Sequence, residues 1–184
     1  GAEISSGDRV RLMTDKNPMV SDRAKLLFKE LEGGNRMKVY QEYRKILNVS
    51  ADAKLGKTVF QKSCSACHTY LGEGGKVGPD LTGVKNQPAE ALLLHILVPN
   101  YEVLPAYQAI SIKTNDGRSF SGWLVSETEN SLTLRTTFGT DEPILRRNIA
   151  TLSNSGLSLM PDGLEQSMTR EDMAKLITYL KAGS

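Results

Sequence analysis

Cys64-Ser65-Ala66-Cys67-His68 sets two thiols three positions apart, with an imidazole directly behind them. These residue types at this spacing are those of covalent c-type haem attachment. Two such thiols at a helix end reach the two vinyl groups of one porphyrin, and the histidine then lies under the iron. The chain has two cysteines and two histidines, so rival readings are few. A redox C-x-x-C wants a strand-to-helix setting at the start of a βαβ unit, whereas this motif ends a predicted helix and precedes a glycine-rich loop. Zinc wants four ligands, and beyond Cys64, Cys67 and His68 the other strong soft ligand is His95. Inert core or surface cysteines complete the set, and haem is the leading reading.

Upstream of the motif the apolar spacing predicts three helices. Ser21-Asp22 caps the first, with Ala24, Leu27, Phe28 and Leu31 on one face, and Gly33-Gly34 stops it. The second carries Val39, Tyr43, Ile46 and Leu47. Ser50 caps the third, which runs from about Ala51 through Leu55, Val59 and Phe60 toward Cys64. Downstream, Gly72, Gly74, Gly75, Gly78, Pro79 and Gly83 make residues 70–86 a loop. A helix restarts at Asn86 or Gln87, with Pro88 near its first turn, and ends before Pro99.

The period then changes to two. Ile110 and Ile112 alternate with polar neighbours, Asn115-Asp116-Gly117 is a hairpin turn, and Phe120, Trp123, Leu124 and Val125 return. Glu129-Asn130 turns into Leu132 and Leu134, and Phe138-Gly139 leads to a last strand around Ile144 to Ile149. The expectation is an antiparallel meander of about four strands at about 107–150. A final helix is capped by Thr169 with Asp172 three residues on, and buries Met173, Leu176, Ile177 and Leu180. The fold class is mostly α with an inserted antiparallel β meander (α+β). It divides into an N-terminal helical extension at 1–54 and a haem domain at 55–184.

Composition agrees with a folded domain. The 184 residues are 39% apolar and 24% charged, near the averages for globular proteins, which excludes a disordered tail or a collagen-like fibre. No run approaches the ~18 apolar residues of a spanning helix, and the longest, Ala91 to Val98, is interrupted by His95. Twenty-three basic against 21 acidic residues, evenly spread, leave +2, too little for a nucleic-acid binder. Two cysteines cannot form the disulfide framework of a small secreted domain. The start, Gly1-Ala2-Glu3-Ile4, shows no basic end and no apolar core, so the expectation is a processed or excised chain.

Gly78-Pro79-Asp80-Leu81, with Pro79 eleven residues after His68, resembles the Gly-Pro-x-Leu of single-haem class I cytochromes c. The resemblance implies that the Pro79 carbonyl accepts a hydrogen bond from the far nitrogen of His68, which orients the ring as a ligand. Candidates for the sixth iron ligand are His95 and the six methionines Met13, Met19, Met37, Met160, Met168 and Met173. Met173 has a core place on the last helix, Met168 lies just before that helix, and Met13, Met19 and Met37 precede the haem helix. Class I cytochromes hold their methionine in a loop such as Ser158-Leu159-Met160-Pro161, and Met160 leads on that ground. His95 would give a bis-histidine haem of lower potential, but it lies mid-helix beside the stripe of Ala89, Leu92, Leu93 and Ile96.

Taken whole, Leu55 to Leu180 resembles the Planctomycete–Verrucomicrobium-type haem-binding domain, a cytochrome c-like family. The matching stretches are Gly56-Lys57-Thr58-Val59-Phe60, the run from Gly72 through Gly78-Pro79-Asp80-Leu81 to Gly83, and Ile96-Leu97-Val98-Pro99-Asn100. Asp116-Gly117-Arg118, Gly122, Leu132-Thr133-Leu134-Arg135 and Ser158 to Leu164 follow. Cys64, Cys67, His68 and Met160 carry over as haem-binding residues, with His68 and Met160 as iron ligands. His68 and Met160 stand 92 positions apart, and the β meander accounts for the surplus over a minimal cytochrome. The resemblance implies one covalent haem c, electron transfer without catalytic residues, and a periplasmic or otherwise exported setting. It implies as partner a redox protein or an upstream dehydrogenase domain of a longer chain, with residues 1–54 as the tail of a preceding helical region. The alternative is a gas-binding or sensing haem with an open or labile sixth position. A peroxidase-like enzyme would need a distal acid–base group, for which the sequence offers only His95. Arg118, Arg146, Arg147 and Trp123 suit haem propionates by residue type alone.

Overall fold

The structure, a computed structural model, describes residues 12, 13 and 15–183, and their side chains apart from those of 28–35. The Gly1-Ala2-Glu3-Ile4 start and the side chains of Phe28 and Leu31 lie outside the described residues. Helix α1 spans Pro18–Tyr43. It starts earlier than Ser21 because Asn17 is the cap, its side-chain oxygen accepting from the Met19 N–H at 3.0 Å, with Pro18 in the first position. Gly33-Gly34 does not stop it. A glycine costs a helix about 1 kcal/mol relative to alanine, and tertiary packing outweighs that here. Met37, Val39, Tyr40 and Tyr43, all beyond the glycines, lie against the main core. The expected second helix is thus the second half of α1, followed by a 3-10 segment at Arg44–Asn48 that buries Ile46.

Helix α2 spans Ala53–Ser63 and is capped by Asp52 rather than Ser50, the carboxylate accepting from the Lys54 N–H at 2.7 Å. Helix α3 is Ala89–Leu97, and α4 is Arg170–Ala182. Thr169 and Asp172 form the expected reciprocal cap of α4. Met173, Leu176, Ile177 and Leu180 are all buried, beside Leu92, Leu93 and Leu97 of α3. Helices α2 and α4 cross in close contact at Gly56, where a Cβ would lie 2.1 Å from the Lys175 carbonyl oxygen. Below the crossing Phe60, Tyr70 and Tyr179 form an aromatic trio with centroids 5.0–6.0 Å apart. The Tyr70 hydroxyl reaches the free carbonyls of Tyr179 and Leu180 at the end of α4, so a buried polar group meets acceptors that the helix leaves open.

The predicted loop contains a minimal hairpin, β1 (Thr69–Tyr70) with β2 (Glu73–Gly74). Between α3 and α4 lies one antiparallel sheet: β3 (Gln108–Thr114), β4 (Ser119–Glu127), β5 (Ser131–Thr136), β6 (Asp141–Leu145) and β7 (Ile149–Ser158). The order is β6-β5-β4-β3-β7. This corrects the four-strand meander ending near 150. A 3-10 turn at Arg146–Asn148 divides the expected last strand, and β7 then crosses to the far edge to pair with β3 as far as Gln108 opposite Ser158. Ala150 to Ser158 lacks apolar alternation because no residue of β7 is fully buried and half of them are exposed, so the strand carries little period-two signal. Ile112, Leu132, Leu134 and Ile144 form a core belonging to the sheet itself. The fold is α+β. Among the described residues no helix is long and apolar enough to cross a membrane.

Candidate functional site

The C-x-x-C-H stretch continues the last turn of α2. The Cys64 N–H donates to the Phe60 carbonyl at 2.8 Å, and the Cys67 and His68 N–H groups donate to the Cys64 carbonyl at 3.0 and 2.9 Å. This tight turn brings the two thiols and the imidazole to one helix end. Both cysteines are free and half-buried. Burial, and secondarily the neighbouring Cys67, pushes the Cys64 thiol up to about 11, so near neutral pH it is a protonated thiol. Burial also lowers His68 against the opposing pull of the Pro79 carbonyl, which keeps the ring neutral.

The glycine-rich loop folds back over this turn. The Gly78 N–H donates to the Cys67 carbonyl at 2.7 Å, and the Gly75 N–H to Ser65 at 2.7 Å. His68 Nδ1 lies 2.8 Å from the Pro79 carbonyl oxygen. A carbonyl only accepts, so Nδ1 carries the proton and Nε2 keeps its lone pair for a metal. Gly78 lies flat against the ring, and a Cβ there would sit 2.4 Å from His68 Cε1 and 2.8 Å from Nδ1. Gly78→Ala is expected to cost about 1–3 kcal/mol and to turn the imidazole away from Pro79. The check is the melting temperature together with the fraction of chains carrying covalent haem after maturation, both of which should fall.

The residues present fit a haem c: two free thiols at one helix end and one oriented imidazole with a free Nε2. They suit zinc less well, since among the described residues no three His, Cys, Asp or Glu side chains converge on one metal position. His95 sits on α3 with 43% of its side chain exposed, its Nε2 4.0 Å from a Glu102 carboxylate oxygen. Of the methionines, Met173 is fully buried in the main core, Met37 and Met168 pack against it, and Met13 packs with Ala24. Met19 is exposed on α1. Met160 is half-buried and belongs to none of the apolar clusters of the described residues. Its N–H donates to the Ser158 hydroxyl at 3.1 Å, and the Ser158 N–H donates to the Asn100 side-chain oxygen at 2.8 Å.

Three contacts here had no signature in the sequence. Arg36 on α1 forks onto Glu165, at 2.9 and 2.6 Å, just past the methionine loop. Asn100, inside the Ile96 to Asn100 stretch, holds Ser158, and its amide lies 3.5 Å from Asp162. Arg135 on β5 binds Asp141 with two nitrogens and donates a third bond to the Lys76 carbonyl at 3.1 Å, which fastens the sheet to the glycine loop. The Arg135 guanidinium lies over Trp123, which also packs on Tyr107. The indole N–H of Trp123 is buried with no hydrogen-bond partner among the described residues. Arg118 and Arg146, suited to propionates by type, are engaged within the sheet by Asp116 and Glu127, and Arg147 is exposed.

The family model described as cytochrome c matches residues 53–101. That stretch runs from the start of α2 through the motif, the glycine loop and α3. A cytochrome c of Arabidopsis thaliana is 44% identical over 39 residues, which cover 21% of this chain and 35% of the plant protein. A cytochrome c-553-like protein of Synechocystis sp. is 32% identical over 53 residues, 29% of this chain and 50% of that protein. The chain therefore spans half or less of the length of these relatives. The matched stretch and the oriented imidazole agree: residues 53–101 form a cytochrome c-like segment, of the kind that binds one covalent haem c.

Proposed function

We propose that this chain is a mono-haem c-type electron-transfer domain, with thioether bonds from Cys64 and Cys67 and axial ligands His68 Nε2 and Met160 sulfur. The observation that supports this reading is the 2.8 Å contact from His68 Nδ1 to Pro79, which leaves the lone pair of Nε2 available to a metal. Haem, when bound, supplies an iron that takes up and releases one electron. The protein's part is to hold that iron unchanged between its two states. The Pro79 carbonyl fixes the ring plane and makes the imidazole a stronger donor. A thioether from Met160 favours the ferrous state and raises the potential. Apolar side chains of α2, α3 and α4 beside a bound macrocycle would keep water from it, which would push the same way. No proton moves and no general acid or base is required.

The finer reading follows the resemblance to the Planctomycete–Verrucomicrobium-type domain. In it, the sheet from Gln108 to Ser158 is an insertion between α3 and the methionine loop. Electrons come from a redox protein or from a dehydrogenase domain upstream in a longer chain, and the setting is periplasmic or otherwise exported, where covalent haem is attached in bacteria.

The test is a set of visible spectra of oxidised and dithionite-reduced holoprotein, with and without carbon monoxide. A c-type spectrum with the weak red sulfur-to-iron band, inert to carbon monoxide, is the expected result. A c-type spectrum that shifts with carbon monoxide would replace electron transfer by a gas-binding haem with a labile sixth position. Absence of haem absorbance in protein matured with its attachment machinery would sink both.

A further inference from the structure

We infer that Arg36 is a positioning residue for the sixth iron ligand, holding the Met160 loop in register from the N-terminal helix. The inference rests on the Met160 ligation proposed above. Residues 159–163 form no helix or strand, and side-chain bonds fasten the chain on both sides of Met160. Upstream, Asn100 holds Ser158. Downstream, Glu165 is 7% exposed, and its two carboxylate oxygens each take one bond from the Arg36 fork. The same guanidinium donates from Nε to the Leu97 carbonyl at 2.7 Å, at the open C-terminal end of α3. One side chain therefore joins α1, α3 and the methionine loop.

The chemistry suits positioning better than mere attraction. Two parallel bonds between planar groups fix both distance and rotation, which a single ammonium cannot do. Burial alone would push Glu165 up, but the Arg36 bonds and charge hold it below the ordinary glutamate range. The fork is thus intact across the neutral range. A ligand site must be held within about 0.5 Å of its working geometry. If the loop loosens, the sulfur spends more time off the iron, and an outside ligand binds more tightly in proportion to that fraction.

The experiment compares native holoprotein with Arg36→Lys and with the double variant Arg36→Met/Glu165→Leu. The lysine keeps the charge and loses the fork. The apolar pair removes both charges, an exchange that is often neutral for stability. Both variants are expected to bind carbon monoxide in the reduced state about tenfold or more tightly than native protein, with a weakened red band when oxidised. The double variant should do so while melting near the native temperature. Variants that keep the full red band and native inertness to carbon monoxide overturn the inference, whatever their melting temperatures, because the pair is then structural only. A native protein that lacks the red band overturns the methionine ligation itself, and the task assigned to Arg36 goes with it.

Discussion

Met160→Ala is expected to lower the reduction potential by about 0.1–0.3 V, within the ~0.8 V that axial ligation spans, and to admit carbon monoxide to the reduced iron. The direction follows from the ligand, since a thioether stabilises the ferrous more than the ferric state and its removal withdraws that preference. A spectroelectrochemical titration measures the shift. Met168→Ala is the control. Met168 packs against the main core, so its truncation should cost about 2 kcal/mol or more of stability and leave the potential in place. A Met160→Ala protein with the native potential would remove Met160 from the iron.

Gly56→Ala is expected to destabilise the protein by about 3 kcal/mol, although alanine is the better helix former. Two effects oppose each other. Helix propensity favours alanine by about 1 kcal/mol. Against it, the added Cβ would stand 2.1 Å from the Lys175 carbonyl oxygen, 2.6 Å from Tyr179 Cβ and 2.8 Å from the Lys175 carbonyl carbon. None of these atoms can rotate aside, since each belongs to the α4 backbone or is fixed directly to it. The helices must part, and the packing of Phe60 and Leu176, both buried, parts with them. Packing wins, and thermal unfolding of the holoprotein should show a melting temperature lower by roughly 6–12 °C. A melting point equal to or above the native one would contradict the close crossing.

What the sequence reveals divides by range. The reciprocal cap of Thr169 and Asp172 is legible because its partners lie three positions apart and define a helix start by themselves. The cap of α2 falls on Asp52 instead of Ser50. Both are good capping types two positions apart, and only the geometry at Lys54 decides between them. The run of α1 through Gly33-Gly34 is illegible for another reason. Met37, Tyr40 and Tyr43 pack against a core built largely from segments far along the chain, and no local pattern records that. At the site, Cys64, Cys67, His68 and Pro79 lie within sixteen residues, and their spacing is itself the chemistry. Arg36 and Glu165 are 129 positions apart, and an arginine on a helix face looks like any solvated charge until its partner is placed.

The pairing of Gln108 with Ser158 bears on how the chain finds its fold. The whole sheet leaves and re-enters the helical part at neighbouring points, so a folded sheet removes 50 residues from the 92-residue span between His68 and Met160. To the closing polymer the two positions are then separated by about 42 links, which lowers the entropy cost of meeting by about 0.7 kcal/mol. The sheet also has its own apolar core, so it can form before that closure. Once folded, the segment that makes the chain long between its two candidate ligands adds little to the separation they must close.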